Sequence, residues 1–292
     1  MHLIPWEYQC SAGFKLRGWR SEPSGKPLLH FLHGNGFCGL TYTPMLELLS
    51  QQFDLWLCDV QGHGDSESGA NFLGWNKNAE LVTEAFTALN PAPNQPVYAV
   101  GHSLGGVLSS LIMAAQPQLF KQAVLLDPVF FTPNMILAMH GMRWLGLSEK
   151  HEMAKRARQR RDSWPNRQAA FAGLRTRGAF KSWRDEALWS YVNHGLHEVQ
   201  GGVTLKCRPQ READFFASFP RNLWRSLKRV QTPVKVLYAE QTFPFVEQSI
   251  KRWSKLNPCI SYQQVPGDHC FMQQNPAHTA ELIRQYFIPS CS

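Results

Sequence analysis

Short apolar runs rich in β-branched and aromatic residues recur at 27–32, 54–60, 96–100, 123–126, 234–238 and 260–265. Each has the length of one strand and ends at polar or turn-forming residues. Between several of them the apolar spacing becomes helical. Leu81, Ala85 and Leu89 recur every fourth residue in 78–89, 104–115 reads as a buried helix, and 276–287 begins at Pro276 with Leu282 and Phe287 on its apolar side. This alternation predicts an α/β fold with helices on both faces of a mostly parallel sheet. It breaks off after Pro128 and resumes at Pro233; the text between is rich in Trp, Arg and Met, with helical stretches and few strand runs. The pattern therefore predicts one α/β core, residues 1–128 and 233–292, interrupted by a mainly helical insertion at 129–232.

The composition agrees with a globular core and adds one feature. With 292 residues, 43% hydrophobic and 18% charged, the chain can bury a sizeable core, which excludes disorder and a small disulfide scaffold. The net charge of +8 raises the question of a polyanionic partner. Divided at the predicted boundaries, it comes to +11 on 129–232 and −3 on the remainder, so the basicity belongs to the insertion. The seven cysteines (Cys10, Cys38, Cys58, Cys207, Cys259, Cys270, Cys291) are odd in number and form no C-x-x-C pair, which suits a reducing compartment. The first residues do not form a signal-peptide pattern and no apolar run reaches membrane-spanning length. The expectation is a soluble cytoplasmic protein.

The strongest chemical signal is Gly101-His102-Ser103-Leu104-Gly105, which matches the G-x-S-x-G nucleophile elbow between the predicted strand 96–100 and the helix from 104. A sharp strand-to-helix turn forces the central serine into a strained backbone, and small neighbours give it room. The turn also presents the hydroxyl at a helix N-terminus, where free N–H groups favour developing negative charge.

With these residues the chain resembles the α/β-hydrolase fold superfamily, in its serine hydrolase form (esterase- or lipase-like) with a helical cap. Three more segments support the resemblance in the expected order. His33-Gly34-Asn35-Gly36-Phe37 is similar to the loop that gives an oxyanion hole its second N–H. Asp59-Val60-Gln61-Gly62-His63-Gly64-Asp65-Ser66 resembles the D-x-R-G-H-G-x-S turn, with Gln61 in place of the usual Arg. Gly267-Asp268-His269 resembles the loop of the catalytic histidine.

The resemblance implies Ser103 as nucleophile, His269 as its base and an oxyanion hole from the backbone N–H groups of Leu104 and Asn35, with Gly36 letting the loop turn. Two carboxylates compete for the orienting acid. The usual position, after the strand at 234–238, falls near Thr242, where only Glu240 stands close. A minority pattern places the acid after the strand that follows the nucleophile helix, where Asp127 ends a strand 24 residues beyond Ser103. The other histidines have simpler readings: His33 and His63 belong to structural turns, His102 points away from the pocket, and His194 and His197 lack a zinc-motif order. No metal or cofactor is called for. Ser103 argues against haloalkane dehalogenase and epoxide hydrolase chemistry, which uses an aspartate in the elbow. Carboxylic ester hydrolysis is the leading expectation; thioesterase, lactonase and carbon–carbon bond hydrolase activities, or a non-catalytic ligand-binding protein, are the alternatives.

The insertion is expected to cap the site and shape its pocket. Met135, Met139, Met142, Trp144, Trp164, Phe171, Trp183, Trp189 and Phe215 are candidates to line an acyl pocket, although most would pack helix against helix. Lys155-Arg156-Ala157-Arg158-Gln159-Arg160-Arg161 reads as a solvated helix face with no nucleic-acid module beside it. The expected partner is a small-molecule ester, acidic or acyl-chain bearing, and not a nucleic acid.

Overall fold

A computed structural model describes residues 1–146 and 152–288; Cys291 lies outside them. Eight strands form the main sheet: β1 (Ile4–Gln9), β2 (Lys15–Arg20), β3 (Leu28–Leu32), β4 (Asp54–Asp59), β5 (Val97–His102), β6 (Gln122–Leu126), β10 (Val234–Gln241) and β11 (Ile260–Asp268). Their spatial order is β1-β2-β4-β3-β5-β6-β10-β11. β1, β2 and β4 pair antiparallel, whereas β4, β3, β5, β6, β10 and β11 are parallel neighbours. Parallel strands covered on both faces read as continuous apolar runs, and β3, Leu-Leu-His-Phe-Leu, is buried at every position.

Two apolar clusters lie on the two faces. One joins the sheet to α2 (Gly74–Leu89), α3 (Leu104–Ala115), α9 (Leu223–Arg229) and α10 (Pro244–Leu256); the other joins it to α1 (Thr43–Leu49) and α12 (Pro276–Phe287). α3 is buried along almost its whole length, as its sequence predicts.

Two parts of the fold differ from the sequence expectation. β1 and β2 carry no strand prediction, and the reason is visible in β1: it is an edge strand on which Trp6 alone is buried, so no apolar run marks it. The segment 129–232 holds α4 (Pro133–Trp144), α5 (Glu152–Arg158), α6 (Arg167–Arg175), α7 (Asp185–His194), α8 (Pro209–Phe216) and α9, but also a three-stranded sheet in the order β7-β9-β8, from β7 (Ser163–Trp164), β8 (Leu196–Val199) and β9 (Gly202–Leu205). β8 and β9 form an antiparallel hairpin through Gln200-Gly201, and Gly201 takes φ +85° there, a conformation that glycine adopts without a Cβ clash.

Two of the places at which the segment is fastened to the core lie beside the site loops. The Asn35 amide donates to the Glu212 carbonyl of α8 at 3.0 Å. On the other side, the Ser182 hydroxyl donates to Asp268 Oδ2 at 2.7 Å, and Arg184 donates through its backbone N–H to Gln273 O and through Nε to Gln274 O, the latter two in the short helix α11 (Phe271–Gln274). Both anchors flank the loops that carry the predicted site residues.

Candidate active site

Ser103 sits between β5 and α3 with φ 52° and ψ −112°. Among the described residues only Ser103, Asp127 and Asn222 combine a side chain with a positive φ; each such residue costs roughly 1–3 kcal/mol unless its surroundings hold it. The hold on Ser103 comes from its neighbours. Its backbone N–H donates to Leu126 O at 2.9 Å, and the chain crosses so closely that a Cβ on Gly105 would lie 2.1 Å from Leu32 O, and one on Gly101 2.5 Å from Gly105 O. Only glycine fits at either position.

Ser103 Oγ lies 2.9 Å from His269 Nε2, and His269 Nδ1 lies 2.6 Å from Asp127 Oδ2. A carboxylate can only accept, so it draws the imidazole proton to Nδ1 and leaves the Nε2 lone pair facing the serine hydroxyl. Asp127 is fully buried and has its other lone pairs filled. Oδ1 accepts from the Ala239 N–H at 2.9 Å, and Oδ2 also accepts a short hydrogen bond from the Thr242 hydroxyl. Its own N–H donates to Leu237 O at 2.8 Å. Glu240 is exposed on β10 and makes no hydrogen bond to His269. The two predicted acid positions thus meet in space: the carboxylate comes from the end of β6, and Thr242, at the usual acid position, donates to it.

Leu104 begins α3 directly after Ser103, and Asn35 follows β3 in the loop where Gly36 takes φ +80°. The Asn35 side chain is held from two sides. Its Nδ2 donates to Glu212 O, and its Oδ1 lies 3.1 Å from His63 Nε2. His33 is buried below, with Nδ1 on Gly34 O at 2.8 Å and Nε2 accepting from the Val60 N–H at 3.0 Å; burial lowers its pKa to about 4.

His102 points away from Ser103 yet reaches the same loops. Its Nε2 lies 3.0 Å from the main-chain carbonyl of His269 and its Nδ1 2.6 Å from Tyr42 Oη, while the Gly34 N–H donates to the same Tyr42 oxygen at 3.0 Å. Burial, helped by the neighbouring His269, holds the His102 pKa well below its ordinary value. Tyr42 has no local sequence signal, being 60 residues from its partner.

Arg160 departs from the expected solvated face. Lys155 and Arg156 are exposed, but Arg160 turns inward, donating to Glu212 Oε2 at 2.6 Å and to Tyr191 Oη at 3.2 Å. Burial opposes its charge, but Tyr191 and Glu212 outweigh that and raise its pKa above the ordinary guanidinium value. Of the aromatic candidates, Trp164, Trp183 and Phe215 are buried, Phe171 stacks on Trp189 at 4.4 Å, and Trp144 is 87% exposed. The six described cysteines are free thiols.

Residues 31–282 match the model of a family described as the alpha/beta hydrolase family. A serine hydrolase-like protein of Danio rerio is 23% identical over 302 residues, covering 98% of this chain and 87% of that protein. An abhydrolase domain-containing protein of Alternaria alternata, AKT2, is 30% identical over 115 residues, 39% of each chain, so the match spans about two fifths of that relative's length. Among solved structures, E-2-(acetamidomethylene)succinate hydrolase superposes with a TM-score of 0.76 at 21% identity, covering 98% of this chain and 99% of that one. At that identity the likeness is one of fold.

Proposed function

The chain belongs to the alpha/beta hydrolase family, and we propose that within it this protein is a serine hydrolase that cleaves carboxylic esters through an acyl-enzyme. The observation that carries the proposal is the unbroken run of contacts from Ser103 Oγ through His269 to the buried Asp127. His269 takes the hydroxyl proton at Nε2 as Ser103 Oγ attacks the acyl carbon, and Asp127 stabilises the imidazolium that forms. The tetrahedral oxyanion is held by the Leu104 and Asn35 N–H groups, each such donor contributing about 3 kcal/mol to the transition state. His269 then protonates the leaving oxygen. Water, deprotonated by the same nitrogen, releases the acid and restores Ser103.

In this reading the segment 129–232 is a cap, supported by its fastening to the Asn35 loop and to the loop of His269. A cytoplasmic setting suits the free thiols. Among the described residues no helix is long and apolar enough to cross a membrane.

Treating the purified protein with a fluorophosphonate probe tests the proposal. Stoichiometric labelling that is lost in Ser103→Ala, together with turnover of p-nitrophenyl acetate, is expected. An unlabelled wild-type protein at pH 8 would overturn it, and turnover of acyl thioesters with none of oxygen esters would move the activity to a different bond.

A further inference from the structure

An apolar strip leads away from the catalytic histidine. The Phe243 ring meets the His269 imidazole edge-on, with centroids 5.2 Å apart. Phe245 lies 5.6 Å from Phe243 with the rings 18° apart, and Phe131 lies 6.0 Å from Phe245 at 11°. The three phenyl rings therefore stand in a near-parallel row that starts at the reacting centre. They come from both junctions of the insertion: Phe131 lies just inside its start, after β6, and Phe243 and Phe245 follow β10. Phe131 is fixed further by the Trp224 indole N–H, which donates to its carbonyl at 3.0 Å.

All three rings are half-buried and rest on the core cluster, so each retains apolar surface that an occupant would remove from water. At its far end the row reaches the foot of α4, where Ile136 packs on the same cluster. Beyond it Leu137 is 72% exposed and Trp144 87% exposed. A large apolar side chain left in water is ordinary singly, but half-buried rings lined up beside His269 mark a surface that takes an apolar ligand. No ionisable side chain belongs to the row. Arg160, which reaches inward from the insertion, is already paired with Glu212.

We infer that the site takes esters bearing an extended apolar chain, and that this chain lies along Phe243, Phe245 and Phe131 toward the foot of α4. The inference rests on the serine hydrolase proposal. Each methylene that leaves water for such a strip contributes about 0.8 kcal/mol, or up to about fourfold in kcat/KM. The chain can belong to the acyl or to the alkoxy side of the ester, and two substrate series separate these: p-nitrophenyl acetate, butyrate, hexanoate and octanoate for the first, and ethyl, butyl and octyl acetate for the second.

In one series kcat/KM is expected to rise by about two- to fourfold per methylene. Phe245→Asp should lower the octanoate-to-acetate ratio, or its octyl-to-ethyl counterpart, at least tenfold; Leu282→Ala, on α12 in the other apolar cluster, should leave it unchanged. A measurement on wild-type protein alone covers the case in which Phe245→Asp does not fold: an octyl fluorophosphonate should label Ser103 at least tenfold faster than its methyl counterpart. Labelling and acetate turnover with no gain along either series, and equal labelling rates, would overturn the strip while leaving the hydrolase proposal intact. Absence of labelling by either probe would instead overturn the hydrolase proposal.

Discussion

The imidazole of His102 and the main-chain carbonyl of His269 are 3.0 Å apart, joining the residue before Ser103 to the His269 loop. A carbonyl only accepts, so Nε2 of His102 carries the proton and Nδ1 must accept, which makes Tyr42 the donor at 2.6 Å. The Tyr42 oxygen is then free to accept the Gly34 N–H. The polarity of this buried chain is fixed throughout, and it connects the Asn35 loop to the His269 loop. Tyr42→Phe leaves a buried ring nitrogen and a buried N–H unpaired. The expected result is a stability loss of about 2 kcal/mol in urea unfolding and a kcat reduced more than KM is raised.

Asp127→Asn keeps the volume of the acid but lets His269 take the wrong tautomer. A fall in kcat/KM of about 10⁴ is expected for ester hydrolysis, and Glu240→Ala should stay within about twofold of wild type. Thr242→Val removes one donor to Asp127 and should cost about tenfold. Equal, modest losses in Asp127→Asn and Glu240→Ala would show that neither carboxylate orients the base.

Sequence alone carried much of the core because its central strands are buried on both faces and therefore read as unbroken apolar runs; β3 and β4 are buried at every position. An edge strand such as β1 has no such run. The site divides in the same way. Ser103 is marked by a local motif whose glycines are required by contacts of 2.1 and 2.5 Å. The choice between Asp127 and Glu240 depends on which carboxylate reaches His269, 142 residues from Asp127, and no local spacing encodes that distance. Arg160 shows the limit most plainly. Its text is a basic helix face, but a partner 52 residues away turns it inward.

That pair gives a third prediction. The Arg160 and Glu212 side chains are 20% and 12% exposed, and removing one partner strands the other charge. Arg160→Met should destabilise the protein by about 3 kcal/mol, whereas Arg160→Met combined with Glu212→Gln should recover at least half of that loss. Urea midpoints of the single and double variants measure both.

Acid should weaken the fold through its buried histidines. His30 is fully buried between Trp56 and Phe86, and neither ring nitrogen has a partner outside its own residue. Burial lowers its pKa to about 3, and that of His33 to about 4. Unfolded, each binds a proton near pH 6.5, so the unfolded state holds more protons as pH falls and stability drops below that value. Each contributes a loss of about 2 kcal/mol between pH 7.5 and pH 5. Burial of Asp59 raises its pKa to about 6 and opposes part of this loss. His30→Phe should raise the urea midpoint at pH 7.5, where it removes an unpaired polar ring, and raise it further at pH 5.

β6 and β10 are adjacent parallel strands, and α9 alone would complete an ordinary crossover between them, with Leu223 and Leu227 packed into the core. Among the described residues, no strand of the main sheet lies between Pro128 and α9. On the proposed reading Ser103 and Asp127 are laid down before that stretch and His269 after it, so selection can exchange the proposed cap for another while keeping these three residues. New substrates would then arise by swapping one contiguous stretch of the gene, with the bond-breaking groups inherited unaltered.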